Sequence, residues 1–244
     1  MLPRAQSRGL YHYNKENPSF MLGFFYDKNF IFEKKQMEKL SFDKSRILGF
    51  SDAVFSIAMT LLVLEVAVPS YTILNKSGIW AVLAERIPNF IGFVVSFFVT
   101  AFYWIDYMKI TKYLTSFNPK LLWINIFLLF FVVLLPFSTA FYVNGINFVG
   151  PFVFYSINLS LIALMILFMI LAVAKKERGQ TGLDKLHRNW EASRMLNTVI
   201  VWLLAGVLAF FTIEIARFIF ILIFILNPFI DRYYRNKVAK EPAK

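Results

Sequence analysis

Charged and polar side chains stand inside an apolar stretch in the first third of this chain. The stretch reads RILGFSDAVFSIAMTLLVLEV, from Arg46 to Val66, and carries Asp52 and Glu65 among leucines, valines and isoleucines. A charge at the centre of a membrane costs at least about 2.5–3.5 kcal/mol unless it has a partner or reaches water. Such residues indicate either a path for ions or protons, or hydrogen bonds that hold helices together.

The composition of the whole chain predicts a polytopic membrane protein. Of its 244 residues, 58% are apolar and 18% aromatic, and the mean hydropathy is +0.59. A soluble domain is about 45–50% apolar, and here the apolar residues form blocks that can cross about 30 Å of hydrocarbon. Cysteine is absent and histidine occurs only twice. We therefore expect no disulfide, no metal centre and no cofactor.

The apolar blocks predict an all-α integral membrane protein with six transmembrane helices, whose ends are marked by charges, prolines and glycines. We place the helices at Ile47–Val68, Ile87–Met108, Leu121–Val143, Val149–Ala174, Arg194–Phe211 and Ile215–Pro228. The second helix has an alternative start nearer Trp80, and Pro136 predicts a kink in the third. We separate the last two at Thr212–Arg217, because Leu196 to Phe229 would span about 50 Å as one helix.

The basic residues predict that both termini are cytoplasmic. With six crossings, 23 of the 26 Lys and Arg residues fall on the inner side, which leaves only Lys76, Arg86 and Arg217 outside. This is a strong positive-inside bias. The net charge of +11 therefore indicates orientation in the lipid bilayer and contact with anionic headgroups, and we expect no nucleic-acid partner.

Three segments are expected along the chain. Residues 1–36 are polar, aromatic and mixed in charge, and lack a cleavable signal pattern. We expect them to be an N-terminal extension, disordered or a mis-called start, with an interfacial helix at Phe20–Phe25 as the alternative. Residues 37–230 form the transmembrane domain, and residues 231–244 form a basic cytoplasmic tail.

A helical wheel of the first helix separates an aliphatic stripe from polar residues. At 100° per residue, one set falls within about 60°: Arg46, Phe50, Ile57, Leu61 and Leu64. Asp52 and Ser56 lie on a different side, and Thr60 lies between the two. Arg46 and Asp52 are about 120° apart around the helix, so each needs a partner on another helix or in water.

The predicted topology brings further polar residues to the depth of Asp52, because the second helix ends and the third begins on the inner side. We predict a cluster of Arg46, Ser51, Asp52, Asp106 and Asn125, with Trp104 and Trp123 beside it. We favour a role in locking three helices together over direct contact with an ion. Glu65, near the outer end, is either interfacial or a pore-mouth residue that attracts cations.

The motif Arg-x-x-x-Phe-Ser-Asp, formed by Arg46, Phe50, Ser51 and Asp52, resembles the signature of the transmembrane-protein-175 family of potassium channels. The run LLWINIFLLFFVVLLPFST is similar to the family's Trp-x-Asn and Pro-Phe-x-Thr pattern, and the likeness covers about residues 37–230. It implies a multi-pass channel of the prokaryotic plasma membrane, not an enzyme. Its single-repeat subunits would form a homotetramer, with helix one of each lining a central pore.

The resemblance also implies roles for residues of this chain. Ile57 would form the narrow ring of a modestly K⁺-selective pore, with Leu61 and Leu64 further out and the hydroxyls of Ser56 and Thr60 nearby. The signature residues would serve hydrogen bonding between helices. Family members often carry Trp-x-x-His-His or similar at the end of helix two, where this chain has WIDYMK. The partners of the signature must therefore differ.

Two other classes of function have less support. A cation- or proton-coupled secondary transporter could use Asp52 or Asp106 as its carrier, although the sequence has no inverted repeat and no pair of glycine-interrupted helices. A membrane enzyme would need a convergent set of nucleophile, base or metal ligands. With no cysteine and few acidic residues in the apolar blocks, we expect no catalytic residues.

Overall fold

The computed structural model describes residues 42–65, 79–114, 116–173 and 185–238, and these are helical except for short connections. The helices are α1 Lys44–Leu61, α2 Ile79–Thr111, α3 Pro119–Val133, α4 Leu135–Asn144, α5 Val149–Val173, α6 Lys185–Leu208, α7 Ile213–Ala216 and α8 Ile221–Val238. A 3₁₀ turn, Leu62–Glu65, follows α1. The predicted extension at 1–36 and the predicted end of the first helix at 66–68 lie outside the described residues.

Five helical segments of the described chain are long and apolar enough to cross a membrane. They are Lys44–Leu64, Asn89–Thr111, Pro119–Asn144, Val149–Val173 and Lys185–Leu208. The expected class, an all-helical membrane protein, is confirmed at this level. α5 lies at the centre of the described helices, since 61% of its apolar 18-residue stretch is buried. It packs against α2, α3, α4 and α6.

The break between α3 and α4 lies where Pro136 predicts a kink. Proline has no N–H to donate to the carbonyl four residues earlier, and α3 ends at Val133. The side chain of Asn158 in α5 spans the break, because its Nδ2 lies 3.2 Å from the Phe131 carbonyl and 3.2 Å from Ser138 Oγ. One side chain of α5 thus donates to both halves of the broken helix.

Hydroxyl groups join α2, α4 and α5 inside the bundle. Ser96 Oγ lies 3.0 Å from the Tyr155 hydroxyl and accepts a hydrogen bond from Thr139 Oγ1 at 3.0 Å. The Tyr103 hydroxyl donates to the Leu159 carbonyl at 2.9 Å. All four side chains are buried. Polar groups in hydrocarbon need such internal partners, so these bonds specify which helices are neighbours.

The start of α1 is fixed to the segment that precedes α3. The backbones of Phe42 and Phe117 exchange hydrogen bonds of 2.8 and 3.3 Å, and Lys44 Nζ donates to the Leu114 carbonyl at 2.7 Å. Asp43 caps α1 by accepting from the Ser45 N–H at 2.9 Å. The first turn of α1 therefore lies level with the end of α2 and the start of α3.

The last long helices, α6 and α8, run antiparallel. Asn197 Nδ2 donates to Asn227 Oδ1 at 3.0 Å, and the rings of Trp202 and Phe220 stack with centroids 6.3 Å apart. The chain reverses between them through residues 209–220, which contain α7. This region includes the predicted turn at 212–217.

Three helices differ from the predicted bounds. α2 begins at Ile79, which agrees with the alternative start nearer Trp80 and not with Ile87. α6 begins at Lys185, earlier than predicted, while α8 begins later and continues to Val238. At the start of α6 and at the end of α8, the helical backbone continues past the apolar run into charged sequence. The first part of the predicted basic tail is therefore helical, and residues 239–244 lie outside the described chain.

We predict that Asn158→Leu destabilises the bundle by about 1–2 kcal/mol, because the variant removes the donor to the Phe131 carbonyl and to Ser138. The measurement is reversible unfolding of the purified protein in mixed detergent micelles, followed by circular dichroism. The exposed Asn147 provides the control, and Asn147→Leu should change stability by less than about 0.5 kcal/mol. Equal effects at both positions would contradict a bridging role for Asn158.

Candidate functional site

One face of α1 is buried against the rest of the chain. Ser51, Phe55, Ala58 and Leu62 are each at most 2% exposed, and their spacing of four and three residues places them on one side of the helix. Phe55 packs against Tyr107 of α2 with ring centroids 5.7 Å apart. This face joins α1 to the rest of the described chain.

The opposite face of α1 is uncovered by the rest of the described chain. Ile57 is 57% and Leu64 70% exposed. The exposed positions continue at spacings of three and four along the helix, as Arg46, Gly49, Phe50, Ala53, Ser56, Ile57, Thr60, Leu61 and Leu64. We call this set the open stripe of α1. All five predicted pore-lining residues lie on it.

Ser56 and Thr60 belong to the open stripe, although the helical wheel assigns Ser56 to the side of Asp52. The positions beside Ser56 on the helix surface, Ala53 and Ile57, are also exposed. The open stripe is therefore wider than the predicted 60° sector. Ser56 Oγ donates to the Asp52 carbonyl at 2.8 Å, and Thr60 Oγ1 donates to the Ile57 carbonyl at 2.9 Å. With the protons directed to the backbone, the oxygen lone pairs are left to face outward.

Asp52 pairs with α2. Trp104 Nε1 donates a hydrogen bond of 3.0 Å to Asp52 Oδ1, and both residues are half-buried. Indole N–H is a donor only, and a carboxylate is an acceptor only. The pair therefore satisfies the indole donor and one oxygen of the only acidic side chain within α1.

Ser51 pairs with α3. Its hydroxyl donates to the Ile47 carbonyl at 2.9 Å and accepts from Asn125 Nδ2 at 3.0 Å. Ser51 and Asn125 are almost fully buried. Asn125 Oδ1 is buried without a hydrogen-bond partner. We call Ser51, Asp52, Trp104 and Asn125 the anchoring network, because these four side chains tie α1 to two neighbouring helices.

Asp106 does not join the anchoring network. Its carboxylate pairs with Lys109 at 2.8 Å, and it lines a cavity together with Arg194 and Asp231 of α6 and α8. Trp104 and Asp106 are two residues apart, about 200° around α2, so they face different neighbours. The predicted single cluster is therefore divided into two groups on opposite sides of α2.

The remaining predicted signature residues also lie outside the network. Arg46 is exposed at the start of α1, and Phe50 is exposed on the open stripe. Trp123 is 60% exposed and packs on Phe127, with ring centroids 6.2 Å apart. The side chain of Glu65, the predicted pore-mouth residue, lies outside the described residues.

The polar group on the far side of α2 includes residues that the sequence does not single out. Trp190 Nε1 donates to Asp231 Oδ1 at 2.6 Å, and Arg194 Nε lies 3.6 Å from the same oxygen. The sequence places Trp190 before the predicted fifth helix and Asp231 after the predicted sixth helix. Neither residue therefore has a predicted partner. Within the described residues, no three His, Cys, Asp or Glu side chains are arranged to hold a metal ion.

Comparisons with known proteins agree with the signature motif. Residues 46–136 match the model of a family described as the endosomal/lysosomal potassium channel TMEM175. The match begins at Arg46 and ends at Pro136, so it contains the open stripe, the anchoring network and the helix break. The resemblance to the transmembrane-protein-175 family is confirmed.

Three curated relatives are named as potassium channels. Proteins from Streptomyces collinus and Chryseobacterium are 33% identical over 98 and 96 residues, and one from Chamaesiphon minutus is 35% identical over 98 residues. Each match covers 39–40% of this chain and 47–48% of the relative. The chain thus matches about half the length of these relatives, which are channels and not enzymes.

The fold has a match among solved structures. The crystal structure of a lysosomal potassium-selective channel TMEM175 homolog from Chamaesiphon minutus superposes with a TM-score of 0.67 at 23% identity. The superposition covers 78% of this chain and 97% of that one. This likeness shows that the chain shares the fold of that solved structure.

We predict that Asp52→Ala and Trp104→Phe are coupled in stability. Each variant leaves one half-buried partner without its hydrogen bond, so the double variant should lose about 1 kcal/mol less than the sum of the single variants. Reversible unfolding in mixed micelles and the yield of assembled protein by size-exclusion chromatography are the measurements.

Asp106→Ala is the matched control for this cycle, because Asp106 also lies near the end of α2 but pairs with Lys109. Its effect should add to that of Trp104→Phe without coupling. An Asp52→Ala protein of normal stability and assembly that no longer conducts ions would contradict a purely structural role for Asp52.

Proposed function

We propose that this chain is the subunit of a potassium-permeable channel, in which four copies surround a central pore lined by α1. The observation that carries the proposal is the open stripe, a continuous face of α1 that its own subunit does not cover. The stripe begins at the signature motif, and the anchoring network on the other side of α1 fixes its direction. Potassium is proposed because the relatives are named as potassium channels.

The residue types on the open stripe support packing between subunits better than contact with lipid. Gly49, Ala53, Ser56 and Thr60 alternate with aliphatic side chains, and small or hydroxyl residues allow helices to approach closely in membranes. The exposed face of α3 and α4 is different. Most of its large exposed side chains are aromatic, and these bulky residues suit a surface in hydrocarbon. They are Trp123, Phe127, Phe130, Phe137 and Phe141.

In the proposed topology each subunit crosses the membrane six times, with both termini in the cytoplasm. The antiparallel arrangement of α6 and α8 supports a sixth crossing, which brings the basic residues after Pro228 to the same side as the start of α6. The positive-inside rule places that side in the cytoplasm. A bacterial plasma membrane is the proposed location, in keeping with the relatives.

The proposed constriction is a ring of four Ile57 side chains, with rings of Leu61 and Leu64 further along α1. A narrow apolar ring closes a pore by excluding water, and it opens when the helices separate or rotate. Isoleucine cannot replace the hydration shell of an ion. Selectivity would therefore be modest and would depend on hydroxyl oxygens such as those of Ser56 and Thr60.

A coupled transporter is the alternative, with Asp52 or Asp106 as the carrier of a cation or proton. Both carboxylates have protein partners, Trp104 and Lys109 respectively. A carrier would have to exchange these partners in each cycle, whereas a channel leaves them in place. The contacts therefore favour the channel.

The test is the reversal potential of the purified protein in planar bilayers under a potassium gradient, repeated with sodium and with a proton gradient. A channel should reverse near the potassium equilibrium potential and show no dependence on the proton gradient. A reversal that follows the proton gradient at a fixed ratio would exclude the channel and assign a coupled transporter.

Ile57→Asn should raise the unitary conductance by about twofold or more and reduce the preference for potassium over sodium, because a polar ring stays hydrated. Single-channel recording measures both quantities. Ile126, which is 42% exposed on α3, provides the control, and Ile126→Asn should leave both unchanged. An unchanged conductance in Ile57→Asn would remove Ile57 from the constriction.

A further inference from the structure

A second polar group lies on the far side of α2 from the anchoring network, and no part of the proposed pore uses it. Arg194 of α6 lies 3.6 Å from both Glu191 and Asp231, and Asp106 pairs with Lys109. α6 and α8 are joined there by further contacts, including a 3.0 Å hydrogen bond between Ser193 and Tyr234. These residues gather at one end of the helices.

An apolar cavity extends from this polar group along α2, α6 and α8. Its volume is about 400 Å³, within the range of sites that bind small molecules. Phe102, Trp202, Phe220, Ile223 and Phe224 supply much of the apolar wall. Phe102 and Phe224 are also about half exposed, at 46% and 52%. The cavity therefore opens onto the outer surface of the bundle, where a membrane lipid has lateral access.

A smaller cavity of about 140 Å³ adjoins the first. It is lined by Lys109, Lys112 and Tyr113 of the end of α2, together with Ile110 and Glu191. Lys109 lines both cavities, so the two lie beside each other at this residue. Lys112 is exposed. Two ammonium groups and a phenol hydroxyl are suited to a phosphate group.

One hydrogen-bond donor of a residue that lines the larger cavity lacks an acceptor. Arg194 Nε is buried and makes no hydrogen bond, because the nearest Asp231 oxygen, at 3.6 Å, is too far for one. Burying a donor without an acceptor is costly. The Arg194 side chain also lines the larger cavity, so its guanidinium can donate to an oxygen atom of a bound molecule.

We propose that these cavities bind one membrane phospholipid per subunit. One acyl chain lies along the apolar wall between Phe102 and Ile223, an ester oxygen accepts from Arg194, and the phosphate lies against Lys109 and Lys112. The site combines an apolar cavity wall, the guanidinium of Arg194 and a pair of lysines, in the order that a phospholipid presents chain, ester and phosphate. The proposal does not depend on ion conduction, because the site lies away from the open stripe.

The test is native mass spectrometry of the delipidated full chain in detergent, titrated with phosphatidylglycerol. We expect one tightly bound lipid per subunit. Lys112→Ala should weaken its binding by about fivefold, as expected for one lysine at a lipid phosphate. Lys120, an exposed lysine at the start of α3 that lines neither cavity, is the matched control, and Lys120→Ala should leave binding unchanged.

A second pair of variants tests the acyl-chain site. Ile223→Trp fills the cavity and should abolish the tight binding, whereas the neighbouring exposed residue Leu222, which does not line it, should tolerate the same change in Leu222→Trp. If Ile223→Trp does not fold, the proposal is tested by the difference in lipid binding between Lys112→Ala and Lys120→Ala. Equal lipid binding within each matched pair would overturn the proposal.

The nature of the ligand is tested with two further probes. Diacylglycerol, which lacks the phosphate, should bind at least about fivefold more weakly than phosphatidylglycerol, and inorganic phosphate should not compete for the site. Equal binding of diacylglycerol, or displacement of the lipid by inorganic phosphate, would overturn the assignment of a phospholipid. If copies of the chain associate through this face and phosphatidylglycerol does not bind, the lipid proposal is overturned. The cavity would then be covered by a second copy of the chain.

Discussion

The fold depends on the need of each polar side chain in hydrocarbon for a partner on another helix. Leucine and phenylalanine pack equally well against lipid and protein, so apolar residues alone do not select neighbours in a membrane. Hydrogen bonds make this selection here. Asp52 selects α2 for α1, Ser51 selects α3, and Asn158 holds the two halves of the broken third helix against α5. Each of these partners is buried or half-buried.

This constraint makes α1 asymmetric. Its two hydrogen bonds to other helices, through Ser51 and Asp52, point towards α3 and α2. The hydroxyls of Ser56 and Thr60 bond to their own backbone. The open stripe is therefore left without specific partners in the described subunit. A face of small, hydroxyl and aliphatic residues suits the proposed contact with other copies of α1, because close approach there breaks no hydrogen bond within the described chain.

The sequence of this protein predicts how deep a residue lies in the membrane much better than which way its side chain faces around the helix axis. The positive-inside rule and the helix order place Asp52, Trp104 and Asn125 at one level, and the structure brings these residues together. The same argument includes Asp106 and Trp123, because it contains no information on which way each residue faces. Pro136 is predicted correctly as a break, since its effect on the backbone is local. The partners of Asp231 are not predicted, because they require the antiparallel arrangement of α6 and α8.

The position of the anchoring network within α1 determines which part of that helix is free to move. Ser51 and Asp52 lie in its first half, and the first turn is also tied to the segment before α3 through Phe42 and Lys44. Beyond Asp52, α1 contacts the rest of the described chain through apolar side chains, which include Phe55, Ala58 and Leu62. Apolar contacts are not directional, so they resist rotation less than hydrogen bonds do. A movement that widens a ring at Ile57 would therefore pivot about the anchored end of α1, without breaking the bond between Asp52 and Trp104.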